Sequence, residues 1–333
     1  MHSMTFRLKV LAASFLLASA VVVAFVLLQR NSKPPDIVRL LPEGEFLLYA
    51  NVSPLHLFET KQLNLSDLDP EYQDFASQTG IQLERDLNEV AVSRREPGNG
   101  ADTESTEVFV GRFDQARLSK YLQKLAATTE KYTDKTVFVI SHEGHSVRVC
   151  ILSNNQVAVT NMASAEPMHS MVDKFRNSAL AGRGPYLAET YYHNVPFGTP
   201  AWIVYRLTSQ PGEAQLPGGF SFDFLQNTTG VISLSYSGSL KAEVFAENEA
   251  EAKQVAESAH SFLALYRGIA QSIGTSGPDK DVKKAFDSIQ IEQKENRAIF
   301  TATIPSVFLK KIFSDAMTAN QGKDAPTPPA KKP

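Results

Sequence analysis

The chain has little cysteine and none of the common signatures of catalysis. Its 333 residues include a single cysteine, Cys150, which excludes an intramolecular disulfide framework and any multi-cysteine metal site. There is no G-x-S-x-G motif, no phosphate-binding P-loop and no EF-hand loop. The formal net charge is −3, without a basic patch interleaved with aromatic residues, so nucleic acid is not expected as a partner. These absences favour a protein without catalytic activity and without a cofactor.

A long apolar run near the N-terminus is the most informative feature that is present. Residues 10–29 carry no charge, and a helix of this length spans about 30 Å, the thickness of the hydrocarbon layer of a membrane. The alternative is a cleaved signal peptide, because Ala18, Ser19 and Ala20 resemble a cleavage site. The apolar run continues well past that site, which favours an uncleaved transmembrane helix.

The positive charges beside this run do not determine which end of the helix faces the cytoplasm, because their numbers are nearly equal on its two sides. A short N-terminal flank and a large C-terminal body are typical of a signal anchor. We therefore expect residues 1–9 in the cytoplasm and the folded body on the extracytoplasmic (periplasmic) side of the cytoplasmic membrane. Residues 30–44 are predicted to be a linker, and the Pro- and Lys-rich residues 319–333 a disordered tail.

The body between them reads as an α+β fold with an internal repeat. Two units, residues 45–199 and 200–318, each show the order strand–strand–helix–strand–strand–helix, with antiparallel sheets packed against helices. Asp114 is placed to cap the first long helix, and Asn248 and Glu251 have the spacing of a capping box before the second. Whether the two units share one continuous sheet or form separate domains is left open by the pattern.

Two histidines lie at the tip of a predicted hairpin. The strands "KTVFVISH" and "HSVRVCILS" flank a turn at Glu143 and Gly144, and this register places His142 opposite His145 on the face that carries Phe138. The two imidazoles are weak candidates for a metal site, because a structural zinc ion takes four ligands and a catalytic one three. The spacing is also not that of H-E-x-x-H on a helix. We interpret the pair as a solvated hairpin tip.

Three segments resemble uncharacterised bacterial proteins: "LPEGEFLLYANVSPLHLF", "VFVGRFDQARLSKYL" and "PMHSMVDKF". The resemblance is to membrane-anchored, extracytoplasmic α+β proteins of domain-of-unknown-function families. The resemblance implies an extracytoplasmic, membrane-anchored location and an α+β fold. It implies no catalytic residues.

Three functions follow as hypotheses. The first is a membrane-anchored binding or scaffolding protein with a protein partner. The second is a carrier or sensor of an apolar ligand held between sheet and helices. The third is a metal-dependent enzyme that uses His142 and His145. A deep apolar cavity would support the second, and a further metal ligand near the pair would support the third.

Overall fold

The computed structural model of the chain describes residues 33–57, 70–96, 103–142, 144–177, 184–207, 215–216, 220–221, 223–272 and 280–305. The predicted transmembrane helix (residues 10–29) and the predicted tail (residues 319–333) lie outside these ranges. Within them, none of the helices combines the length and the apolar character needed to cross a membrane.

Fourteen strands are found in the described residues. They are β1 (Phe46–Asn51), β2 (Leu87–Arg95), β3 (Glu104–Gly111), β4 (Thr128–Tyr132), β5 (Lys135–His142), β6 (His145–Ser153), β7 (Gln156–Thr160), β8 (Ala201–Arg206), β9 (Gln215–Leu216), β10 (Phe220–Ser221), β11 (Thr229–Leu234), β12 (Ser239–Phe245), β13 (Gln290–Lys294) and β14 (Arg297–Thr303).

The α-helices in the described residues are α1 (Asp36–Leu40), α2 (Pro70–Thr79), α3 (Leu83–Asp86), α4 (Gln115–Leu125), α5 (Glu166–Arg176), α6 (Tyr186–Tyr191), α7 (Glu249–Ser272) and α8 (Lys280–Asp287). Short 3₁₀ helices occupy Ser53–Leu57, Tyr192–Asn194 and Asp223–Leu225. The predicted caps are in place. Asp114 accepts hydrogen bonds from the backbone N–H groups of Ala116 and Arg117, and Asn248 accepts one from Glu251.

One continuous antiparallel sheet holds twelve of these strands, in the order β13-β14-β12-β11-β8-β1-β2-β3-β7-β6-β5-β4. The two halves of the chain meet where β1 pairs with β8, with Leu48 opposite Ile203. On one side of this seam follow β2, β3, β7, β6, β5 and β4, and on the other β11, β12, β14 and β13. An α+β architecture with an antiparallel sheet and packed helices, as predicted, is therefore confirmed.

The two faces of the sheet are packed differently. One face, which we call the covered face, carries side chains such as Leu47, Val108 and Val204, all with no exposed surface. It packs against α1, α5 and α6 in a single large core. On the other face, the described helices pack towards the ends of the sheet: α2 and α4 pack over β5, β6 and β7, and α7 packs over β12, β13 and β14.

The structure corrects the predicted linker. Residues 36–40 form α1, and Ile37, Val38 and Leu41 are buried in the core of the covered face. The signal was present in the spacing of Ile37, Val38 and Leu41 after Pro35, because apolar residues at i, i+3 and i+4 share one face of a helix. A proline at that position ends an extended segment and can begin a helix, so reading it as a stiff linker was wrong for this part of the chain.

The strand count of the first unit was also underestimated. Four strands, not two, follow α4, because β4 and β7 were not predicted. The segment that forms β4, "TTEKY", lies at the edge of the sheet and is mostly exposed, so it lacks the apolar alternation that marks a strand. The strand β7 is five residues long and pairs with both β3 and β6.

Candidate functional site

The middle of the second face, outside the clusters that the described helices form with this face, is the candidate functional site. We call it the apolar face. It is defined by nine apolar side chains of β3, β2, β1, β8 and β11 that point away from the covered face: Phe109, Val90, Val92, Leu48, Ala50, Ala201, Ile203, Ile232 and Leu234. The same registers place Phe46, Arg94, Ser105, Glu107 and Tyr205 on this side of the sheet. All nine are apolar, and all nine are partly exposed.

Cross-strand pairing makes these side chains contiguous. Leu48 pairs with Val92 on one side and with Ile203 on the other, and Ile203 pairs in turn with Ile232. None of the nine belongs to the three buried clusters found in the described part of the chain. With strands about 4.8 Å apart, the five strands make a surface roughly 19 Å wide. An apolar surface of this kind, rimmed by polar residues, is typical of an interaction site.

One carboxyl group interrupts the apolar row. Glu107 on β3 lies between Val92 on β2 and Val159 on β7. Burial raises its pKa above the ordinary value, and the charge of Arg94 opposes that shift by a smaller amount. In the part of the chain that the structure describes, the charge that acts on the Glu107 carboxyl is that of Arg94. An ionised carboxylate with apolar neighbours is costly unless a donor or a cation reaches it.

The structure places the two predicted histidines as expected. His142 pairs with His145 across the β5–β6 hairpin, with Ile140 opposite Val147 and Phe138 opposite Val149. Gly144 in the turn has a positive φ of 84°, and His145 is exposed. In the residues that the structure describes, no group of three or more His, Cys, Asp or Glu side chains could hold a metal ion.

A polar cluster at the edge of the sheet was missed by the sequence analysis. The rings of His169 on α5 and Tyr132 on β4 are stacked, with their centroids 3.8 Å apart. The Nε2 atom of His169 is 2.5 Å from Oε1 of Glu130, and the Tyr132 hydroxyl donates to Asp173 at 2.8 Å. This hydrogen bond is the main cause of a raised pKa of Tyr132. No motif marks the cluster, because its residues come from two elements 39 positions apart.

The cluster borders a groove of about 470 Å³ that is open to solvent. It is lined by Tyr132, Glu166, His169, Ser170, Asp173, Lys174 and Asn177. Lys174 donates from Nζ to the carbonyl oxygen of Leu41 at 2.8 Å, and burial lowers its pKa. These contacts hold α5 against β4 and against the end of α1, so we assign the cluster to the packing of α5.

Comparisons with known proteins give a distant likeness. No family model matches the chain, and no curated protein matches it. Similar solved structures include three crystal forms of TP0453. Form IV is 12% identical, with 84% of this chain and 97% of that chain covered and a TM-score of 0.45. Form III is 10% identical, with 85% and 99% covered and a TM-score of 0.42. Form I is 9% identical, with 85% and 98% covered and a TM-score of 0.40.

At these identities and TM-scores the likeness supports no conclusion about function. The fold class rests on the strands and helices described above. The resemblance to uncharacterised bacterial families stays a prediction.

Proposed function

We propose that this protein is a single-pass, membrane-anchored binding or scaffolding protein without catalytic activity. Residues 10–29 are its transmembrane helix, and its folded body lies on the extracytoplasmic side of the cytoplasmic membrane. The observation that carries the proposal is the apolar face, a contiguous row of partly exposed apolar side chains on five strands that belongs to none of the buried clusters of the described residues.

We also propose that the body consists of two related units. Counted from the seam, the five strands β8-β11-β12-β14-β13 correspond to the first five of the other side, β1-β2-β3-β7-β6, and β5 and β4 extend that side further. Each unit also carries a long helix, α4 or α7, on the same face of the sheet. Such an arrangement produces one wide surface at the seam, in the place where a partner would bind.

The two alternatives are supported less well. A carrier of an apolar ligand would enclose most of it in a pocket, whereas the apolar face is an open surface about 19 Å wide. A metal-dependent enzyme would need a third ligand near His142 and His145, and the described residues offer no such group.

Anchoring is tested by fractionation. The full-length protein should stay with membranes through salt extraction, and protease added to spheroplasts should digest its body. A mature chain that begins near Val21 would show that the apolar run is a cleaved signal peptide. Complete protection of the body would place it in the cytoplasm.

Binding is tested by comparing two variants of the full-length protein, extracted from its native membrane in mild detergent. The double variant Val92→Thr, Ile203→Thr makes the apolar face more polar while keeping the β-branched shape that strands favour. Val139→Thr is the control, because Val139 is also partly buried but lies on the covered face.

Light scattering after size-exclusion chromatography should show a stoichiometric partner with the wild type and the control. The double variant should have the mass of one chain of this protein after the mass of the bound detergent is subtracted. Equal masses for all three proteins would contradict the proposed function.

A further inference from the structure

The folded body begins close behind the proposed transmembrane helix. Pro34 is already buried, and Val38 and Leu41 follow it into the core of the covered face. Of the predicted linker, residues 30–33 remain between the end of the proposed helix at Gln29 and this buried proline. We call these residues the tether. A chain extends at most about 3.6 Å per residue, so the tether reaches no further than roughly 18 Å from Gln29 to Pro34, whatever its conformation.

Contacts of α1 with its neighbours prevent the tether from lengthening at the expense of this helix. Lys174 of α5 donates from Nζ to the carbonyl oxygen of Leu41 at 2.8 Å. The Glu43 carboxylate accepts the backbone N–H of Tyr186, the first residue of α6, at 2.9 Å. Unwinding of α1 would break these hydrogen bonds and bring its buried apolar side chains into water. The chain is therefore held by the body from Pro34 onwards.

The dimensions of a bilayer then limit the distance between the body and the lipid. The headgroup layer is roughly 5–8 Å thick on each side of the hydrocarbon core, so Pro34 lies within roughly 13 Å of its outer surface. A folded body of roughly 280 residues has a radius of gyration of about 19 Å. Such a body is too wide to turn freely in a gap of this size, so the side that carries Pro34 and α1 must face the membrane.

The surface beside the tether includes charged and aromatic side chains. Lys33 and Asp36 are exposed at the start of α1. Tyr186 is 55% exposed at the start of α6, and the Cζ atom of Arg206 lies 5.5 Å from the centroid of its ring. Tyrosine is enriched at the headgroup level of membranes, because its ring is apolar and its hydroxyl is polar. We call Lys33, Asp36 and Tyr186 the tether surface.

We propose that the tether holds the tether surface against the lipid headgroups and turns the apolar face away from the membrane. α1 and α6 pack on the covered face, and the apolar face lies on the opposite side of the sheet. This inference rests on the proposed function, because it requires residues 10–29 to span the membrane. A partner of the apolar face then approaches from the extracytoplasmic space and not through the lipid.

The test is quenching of a fluorescent label by lipid in large vesicles that contain the full-length protein. Asp36→Cys and Tyr186→Cys, each in a Cys150→Ala background and labelled before reconstitution, place the label on the tether surface. Leu265→Cys is the matched control, because Leu265 is 54% exposed on α7, on the other side of the sheet. The vesicles are phosphatidylcholine, with a nitroxide on a fraction of the headgroups. The first two labels should lose fluorescence relative to vesicles without nitroxide, and the label on α7 should not.

An insertion tests whether the tether causes this proximity. A flexible Gly-Ser segment of about 20 residues between Lys33 and Pro34 adds roughly 25 Å of average reach, so most of the fluorescence loss at Asp36→Cys should disappear. The same segment inserted after Asn320, in the predicted tail, is the control and should leave the loss unchanged.

Flotation of the same vesicles separates this inference from the proposed function. If the protein does not float with the vesicles, the proposed function fails and the inference fails with it. The protein could instead float while the label at Asp36→Cys keeps its fluorescence, while Leu265→Cys loses as much, or while the insertion at the tether has no effect. Each of these results would leave the anchor in place and overturn the inference alone.

Discussion

Cys150 should react with thiol reagents only when the protein unfolds. Its side chain has no exposed surface and lies in the core of the covered face with Met168, Met171 and Val172 of α5. Burial raises its pKa from the ordinary value of 9.0 to about 11. At pH 8 the thiolate fraction therefore falls from about one in ten to about one in a thousand, and the thiolate is the reactive species. Ionisation alone slows the reaction about 100-fold.

The assay is simple because the chain has no other cysteine. A chromogenic disulfide reagent should report one thiol per chain at once in concentrated guanidinium, and should react at least about 100-fold more slowly with the native protein. Cys150→Ala is the blank. A native protein that reacts at the rate of the unfolded chain would refute both the burial of Cys150 and the packing of α5 over β6.

Three further predictions concern stability, measured by unfolding of the protein in detergent. Asp114→Ala should lower the free energy of unfolding by about 1 kcal/mol, because the N-terminus of α4 loses its cap. The double variant His142→Asn, His145→Asn should change the free energy of unfolding by less than about 0.5 kcal/mol. Zinc should not raise the melting temperature of the wild type. A rise in melting temperature with zinc that the double variant abolishes would contradict the interpretation of the pair as a solvated hairpin tip. Glu107→Gln should stabilise the protein at pH 7. Burial raises the pKa of Glu107 in the folded state, so the gain should shrink as the pH falls through that raised pKa and vanish below the ordinary one. A gain that persists in acid would show that the carboxylate charge is not its cause.

Local features of this fold could be predicted from the sequence because neighbouring residues determine them. The cap at Asp114 and the pairing of His142 with His145 depend on a few adjacent positions, and both predictions are confirmed.

The burial of the two faces could not be predicted in the same way. The alternation of side chains along a strand places Ile232 and Val231 on opposite faces of the sheet. It does not predict which of the two faces the helices cover. The structure buries Val231 at 2% exposure and leaves Ile232 partly exposed, because α1, α5 and α6 all pack on the side of Val231. The seam between β1 and β8 joins residues more than 150 positions apart, as in the pair Leu48 and Ile203. No local pattern specifies such a pairing, so the continuous sheet and its apolar face appear only in the structure.

The central claim is that a partner covers the apolar face on the extracytoplasmic side of the membrane. A cysteine placed at Ile203 in a Cys150→Ala background tests it most directly, with a membrane-impermeant maleimide applied to spheroplasts and Thr129→Cys as the exposed control. The account predicts that Thr129→Cys is labelled in every case. It predicts that Ile203→Cys is protected in the native membrane and labelled when the protein is expressed in a foreign membrane without the partner. Equal labelling of Ile203→Cys in both membranes, or equal protection in both, would contradict it.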